Sequence, residues 1–182
     1  MKMIRGATIS DSVLVSSNVD ETAPTAWSSE TSYAAAATAS VATGTTKAVY
    51  ESLQAGNLNN APASSPSWWR YLSTTYSTYS AGTSYALNDV VISTTSHHSY
   101  QSLVGGNLGN ALTDATKWLD LGPTNRWAMF DQLNGTQTER AESVDVTFTL
   151  ATRANGLALI NLSGASVRVT ATNPSAVVTY DE

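Results

Sequence analysis

Tyr50-Glu51-Ser52-Leu53-Gln54-Ala55-Gly56-Asn57-Leu58-Asn59-Asn60-Ala61 returns as Tyr100-Gln101-Ser102-Leu103-Val104-Gly105-Gly106-Asn107-Leu108-Gly109-Asn110-Ala111, with eight of twelve positions identical. Trp68 and Trp118 keep the same offset of 50. Upstream, Trp27 and Thr31-Ser32-Tyr33 match Tyr79 and Thr83-Ser84-Tyr85 at an offset of 52. One short indel between Tyr33 and Tyr50 reconciles the two offsets. Agreement in residue type and spacing on both sides of an indel marks a tandem duplication.

The copies run from Trp27 to Leu72 and from Tyr79 to Leu121. In the second, Ala86-Leu87-Asn88-Asp89 reads as a turn and Val90-Val91-Ile92 as a short strand. Ser99-Tyr100-Gln101-Ser102-Leu103 alternates as a second strand. Gly105-Gly106-Asn107 and Gly109-Asn110 are turn signals. Asp114 to Trp118 reads as a tight turn that drops a Trp onto the sheet. In the first copy Ala34 to Ala37 has helical propensity, which the alignment overrules.

The flanks read differently. Thr8 to Val15 is one strand, followed by polar chain up to Pro24. Ser73 to Thr78 reads as a Ser/Thr/Tyr linker. Beyond Pro123, Val144–Leu150, Val167–Thr172 and Val177–Tyr180 alternate, and Leu157–Leu162 is a continuous apolar run. Four strands separated by Gly/Asn turns predict a β-sandwich. Its last strand reaches the C-terminus, so the sandwich is unfinished, to be completed by a partner or by further chain. The expectation is an all-β protein. It has an N-terminal docking segment (1–23), a small three-stranded module (24–72), a linker (73–78), a second such module (79–121) and the sandwich (122–182).

Composition narrows the function. Charged residues make up only 13% of the chain, about half the usual share. Ser, Thr, Asn, Ala and Gly take their place, as suits a β-rich extracellular or particle-bound surface. The net charge is −5 and the nine basic residues are scattered, which argues against a nucleic-acid surface. Without cysteine there is no disulfide or thiolate metal site. Met1 to Gly6 is basic but leads into no apolar stretch, so it does not read as a signal peptide. No run approaches the length of a membrane span. The chain is expected to be made in a cytoplasm and to leave it by lysis or within a particle.

The order aromatic, Thr-Ser-Tyr, Val-Val, Tyr, Gly-Asn, Trp resembles the small chitin- and cellulose-binding modules of bacterial polysaccharide hydrolases. The resemblance covers residues 27–72 and 79–121. The Gly-Asp turn of those modules appears as Asn88-Asp89 in the second copy and is absent from the first. Similar modules occur in tail and fibre proteins of tailed bacteriophages. There a segment like Gly122-Pro123-Thr124-Asn125-Arg126-Trp127-Ala128-Met129-Phe130-Asp131 often follows and opens a β-sandwich. The resemblance implies a virion tail, baseplate or fibre component. Its implied partners are other tail subunits, further copies of itself and host surface polysaccharide, with no nucleic acid and no membrane insertion. Purely structural virion parts and accessory modules of secreted hydrolases are the alternatives.

Aromatics are the first candidate site, because a sugar's C–H face stacks on flat rings while its hydroxyls need amide or carboxylate partners. A module this small needs most of its aromatics as core. Tyr33, Tyr50, Trp68, Tyr85, Tyr100 and Trp118 are therefore assigned inside. Trp69, next to Trp68 and so on the opposite face of a strand, is assigned to the surface with Trp27. Tyr79 takes the place of Trp27 in the second copy, and Leu119 that of Trp69.

His97-His98 is the one histidine cluster, without further ligands at metal-binding spacing, and reads as a solvated loop. At an interface its charge would change at about pH 6. Asp89, Asp114, Asp120, Asp131, Glu139 and Glu142 form no recognisable glycosidase pair, and no phosphate loop or nucleophile elbow occurs. No enzyme activity, metal or cofactor is expected. Arg126 is expected to stack on an aromatic or pair with Asp131, and Trp127 and Phe130 to seed the sandwich core beside Asn125. The sequons at Asn134 and Asn161 carry no weight without a secretory signal.

Overall fold

The strand-forming stretches of the two copies come together in one sheet. The computed structural model describes residues 6–133, 135–152, 154, 156–164, 166–172 and 178–181. Parts of several expectations lie outside these: the Met1–Arg5 end, the sequon residue Asn134, and Val177. The protein is all-β. Met1–Thr152 and Arg153–Glu182 form separate compact units.

The first copy supplies β2 (Thr38–Thr43), β3 (Thr46–Ser52) and β4 (Trp69–Thr78), paired antiparallel in that order. The second supplies β5 (Val90–Ser93), β6 (His98–Ser102) and β7 (Trp118–Pro123), again antiparallel. The expected linker 73–78 is strand: it is the second half of β4, pairing with β3 from Val49↔Ser73 to Thr46↔Tyr76. Its Ser/Thr/Tyr alternation suits a pleated surface, since Thr and Tyr favour strands. Ser77 and Thr78 then pair parallel with Val91 and Ile92. The result is a six-stranded sheet in chain order.

The same irregularities recur in both halves. Between β3 and β4 the register slips at Val49/Tyr50, which leaves Leu72 as the extra residue. Between β6 and β7 it slips at Ser99/Tyr100 and leaves Leu121. An extra residue bends its strand and increases the twist. The turn before the central hairpin is also shared: Ala36 and Asn88 both have positive φ, 63° and 71°. Their N–H groups donate to Ser52 O and Ser102 O at 2.8 and 2.9 Å. The Ala34–Ala37 stretch is thus a turn and not a helix.

A buried amide organises each copy. Asn57 and Asn107 are each 1% exposed. Asn107 Nδ2 donates to Ser102 Oγ (2.9 Å) and to Lys117 O (3.1 Å), and Asn107 Oδ1 accepts from Asn110 Nδ2 (2.8 Å). Its main chain exchanges two hydrogen bonds with Tyr85. Asn57 repeats the set with Ser52, Trp68 O, Asn60 and Tyr33. The preceding Gly56 and Gly106 sit at φ 71° and 65°, a conformation costly for residues with a Cβ.

The flanks supply the remaining strands. β8 (Val146–Phe148) leaves the C-terminal group and pairs with β1 (Leu14–Ser17) near the N-terminus. In the second unit β9 (Thr170–Thr172) pairs antiparallel with β10 (Val178–Asp181). Leu157–Leu162 forms no strand. Consecutive apolar side chains on an extended segment need cover on both faces, and Leu157, Ile160 and Leu162 are exposed. Among the described residues, the strands found over 122–182 are β8 in the first unit and β9 and β10 in the second.

Two outcomes test this architecture. Asn107→Ala strips the buried hub and should cost about 2–3 kcal/mol by denaturant unfolding, whereas the exposed Leu108→Ala should change stability by less than about 0.5 kcal/mol. Ala36→Gly should stabilise by about 0.5–1 kcal/mol, because it relieves a left-handed alanine. A loss of stability there would show that the Ala36 Cβ contributes packing that outweighs the strain.

Candidate functional site

The hydrogen bonds of the hub decide which tryptophan is core. Trp118 Nε1 donates to Asn110 O at 3.1 Å, and it is Trp69 Nε1 that donates to Asn60 O at 2.8 Å. Trp69 is 3% exposed and Trp118 2%. Tyr33 meets Trp69 edge-on at 4.9 Å, as Tyr85 meets Trp118 at 5.4 Å. Trp69 is therefore the structural counterpart of Trp118. The assignment of Trp68 to the core and Trp69 to the surface is reversed. The chain from Asn60 to Trp69 is one residue longer than that from Asn110 to Trp118, and the turn around Pro62–Ser64 takes up the extra residue. Trp68 is half-buried, and its carbonyl does the work of Lys117 O in the other copy.

The other two sugar-stacking candidates are also engaged. The Tyr79 ring lies near-parallel to Tyr85 and edge-on to Trp118, and its hydroxyl donates to Asn110 O at 2.7 Å. Trp27 is half-buried, with its Nε1 enclosed and unpaired among the described residues. Tyr33, Tyr50 and Tyr100 are half-buried, and Tyr85 is fully buried. The aromatic surface lies elsewhere, at Tyr71. It is 48% exposed, meets Tyr50 edge-on at 5.8 Å and shares a hydrogen bond with Thr74 Oγ1. In the second copy Asp120 occupies this position opposite Tyr100.

The densest chemistry gathers around Glu21, a residue that sequence reasoning passed over. Glu21 is 9% exposed. Its carboxylate faces His97 Nδ1 at 3.0 and 3.2 Å and accepts from Thr124 Oγ1 at 3.0 Å and from Trp127 Nε1 at 3.2 Å. Its carbonyl accepts from Thr75 Oγ1. The acid thus ties the N-terminal segment to β4, to the β5–β6 turn and to the stretch after β7. His97 is not a solvated loop residue. Its ring stacks on Trp127 with centroids 4.0 Å apart, and its Nε2 lies 3.2 Å from Asp11 Oδ2. His98 Nδ1 contacts the Asp120 carboxylate at 2.8 Å and is more exposed. Beside these groups lies a shallow open cleft of about 390 Å³, lined by Ile9, Asp11, His97, His98, Trp127 and Phe130 among others.

The Asn125–Asp131 segment is held by local bonds. Asn125 exchanges two side-chain hydrogen bonds with the main chain of Glu139, both at 2.8 Å. Asp131 accepts from Leu133 N and Thr136 Oγ1 and makes no ion pair with Arg126. Arg126 instead lies near Asp20, and its Nε is buried without a partner among the described residues. Trp127 meets Phe130 edge-on at 5.9 Å, and its indole Nε1 donates to the Glu21 carboxylate.

Burial pushes the Asp20 carboxyl above the ordinary carboxylate range, against the pull of Arg140 and Arg126. Asp114 is held below that range, first by the Thr116 hydroxyl and then by the Thr116 N–H. Most of the other candidate carboxylates have local partners. Asp89 accepts from Ala86 N, Asp120 from Gly122 N, and Glu142 pairs with Arg70 at 2.8 Å. The two nitrogens of His97 point to different carboxylates, so Glu21, His97 and Asp11 do not converge on one point. Among the described residues no cluster is arranged to hold a metal ion.

Comparison with protein-family models, curated proteins and solved structures returns no match for this chain.

Glu21→Gln should cost about 2 kcal/mol in unfolding free energy, because an amide cannot accept from all three donors. Asp20 gives the opposite sign. Its folded form holds a proton more readily than the unfolded chain, so stability falls as pH rises from the ordinary carboxylate value through the raised one, and stays lower above it. Asp20→Asn should then match or exceed the parent's melting temperature at pH 7, with the gain shrinking towards acid pH. A lower melting temperature at pH 7 would mean that the two arginines outweigh burial.

Proposed function

We propose that this chain is a structural component of a virion tail, baseplate or fibre, in which the duplicated module serves as a rigid spacer. The observation that carries this reading is the use of the aromatics. Trp69, Tyr79, Tyr85 and Trp118 are packed edge-on or bonded through their polar atoms to the same two asparagine carbonyls. What the copies share at these positions is an internal framework. Most of the candidate carboxylates are engaged in turns and ion pairs, which favours a scaffold over a hydrolase. The resemblance of residues 122–131 to a segment that follows such modules in phage tail proteins supplies the setting. Synthesis in the host cytoplasm and assembly with other tail subunits and further copies of the chain belong to the same reading.

Attachment to host surface polysaccharide is the second reading, and one observation favours it. Tyr71 offers a broad exposed face, braced by Tyr50 and by a hydrogen bond with Thr74 Oγ1. Stacking at a single ring is weak, and many copies on one particle would multiply it.

Antibodies raised against the chain should label the tails of particles from the phage that encodes it, seen by immunogold microscopy. Absence from purified particles would sink both virion readings. In a pull-down with host surface polysaccharide, Tyr71→Ala should lower retention at least about tenfold with an unchanged melting temperature if the ring binds sugar. If the parent chain is not retained at all, the spacer reading stands alone.

A further inference from the structure

His97 has a carboxylate against each ring nitrogen. Nδ1 faces Glu21 at 3.0 Å and Nε2 faces Asp11 at 3.2 Å. A neutral imidazole carries one N–H and one lone pair, while an imidazolium carries two N–H groups. Both contacts are therefore hydrogen bonds only when the ring is protonated. Loss of the proton places a lone pair against one of the two carboxylates.

The surroundings decide which contact is lost. The Glu21 side chain is 10% exposed and is fixed by Thr124 Oγ1 and Trp127 Nε1. Stacking on Trp127 at 4.0 Å and the 2.7 Å bond from Thr124 N to His97 O hold the histidine in place. Keeping the proton on Nδ1 preserves the buried acceptor. The Asp11 side chain is 78% exposed and can turn into solvent. It belongs to the segment before β1, where Ile9, Ser10 and Asp11 form one wall of the 390 Å³ cleft and Thr95, Ser96 and His98 lie on its lining with them.

We propose that His97 is a proton-operated clasp: protonated, it pins the Ile9–Asp11 wall through Asp11; neutral, it keeps Glu21 and lets Asp11 go. Histidine as a residue type changes charge between about pH 5 and 8, which sets the range of the test. The other charged groups at the cleft are His98, Asp120 and Asp131. His98, paired with Asp120, adds positive charge to the cleft when protonated. Asp131 lines the cleft, with its carboxylate held by Leu133 N and Thr136 Oγ1. Among the described residues, neither Asp11 nor Glu21 has a Lys or Arg ion-pair partner. This inference does not depend on the virion reading.

The test is a titration of the full chain from pH 5 to 8, followed by nitrogen-detected NMR of the imidazoles and by backbone amide shifts. His97 Nδ1 should stay protonated throughout while Nε2 loses its proton. The amides of Ser10, Asp11 and Ser12 should shift with the same midpoint, and their heteronuclear NOEs should fall at the alkaline end. In Asp11→Asn, an exposed substitution that leaves the Glu21 cluster intact, those amides should no longer follow His97. Departure of the proton from Nδ1 overturns the proposal. So does a Ser10–Ser12 titration that persists unchanged in Asp11→Asn, or amides that ignore His97 in the parent chain.

Discussion

A primary amide buried at the centre of each copy is the constraint on which the rest of the sheet depends. A unit of this size without disulfides has little apolar surface to bury, and its charged share is low. Asn57 and Asn107 resolve this by acting as extra backbone. Each satisfies a serine hydroxyl, a main-chain carbonyl and a second asparagine from a single side chain. That second asparagine then offers its carbonyl to the core indole. Loop, hairpin and tryptophan are fixed relative to one another by a chain of hydrogen bonds, each buried member of which would be costly to leave unpaired. The glycine before each amide and the bulge opposite each central tyrosine are the backbone adjustments that let this hub close.

Glu21 does for the assembly what the asparagines do within each copy. A buried carboxylate is tolerable when it is well supplied with donors, and here they come from parts of the chain far apart in sequence. The N-terminal segment and the Thr124–Trp127 stretch therefore belong to the same unit as the sheet. Asn18 strengthens the link from the other side, since it exchanges hydrogen bonds with Asp145 just before β8.

The β class and the burial of Tyr85 and Trp118 were legible in the sequence, because repetition and alternation are local signals. The Trp68/Trp69 reversal shows where such signals stop. An offset of 50 held up to Asn60, and nothing in the adjacent tryptophans revealed that one residue had been inserted before them. Only the reach of an indole N–H to a particular carbonyl separates them. The Ser73–Thr78 stretch was misread because hydroxyl-rich composition marks both linkers and strands. Here the pairing partner decides, and that partner is distant in sequence. Glu21 was invisible for a related reason: a lone acid in a polar stretch looks solvated until His97, Thr124 and Trp127 are brought to it. The Leu157–Leu162 run was read as strand on apolarity alone, without a partner to pair with.

The ends of β4 and β7 differ in a way that bears on copy number. Where the first copy continues past Leu72 through Ser73 to Thr78 and hands its strand to β5, the second pairs Gly122 and Pro123 with Ser99 and His98 and its strand ends there. Proline has no N–H to offer a further neighbour. In a linear array an internal unit must present a pairing edge and a terminal unit must withhold one. By that criterion the first copy is built as a link and the second as an end-cap. Among the described residues, β7 has no further strand paired on its outer side.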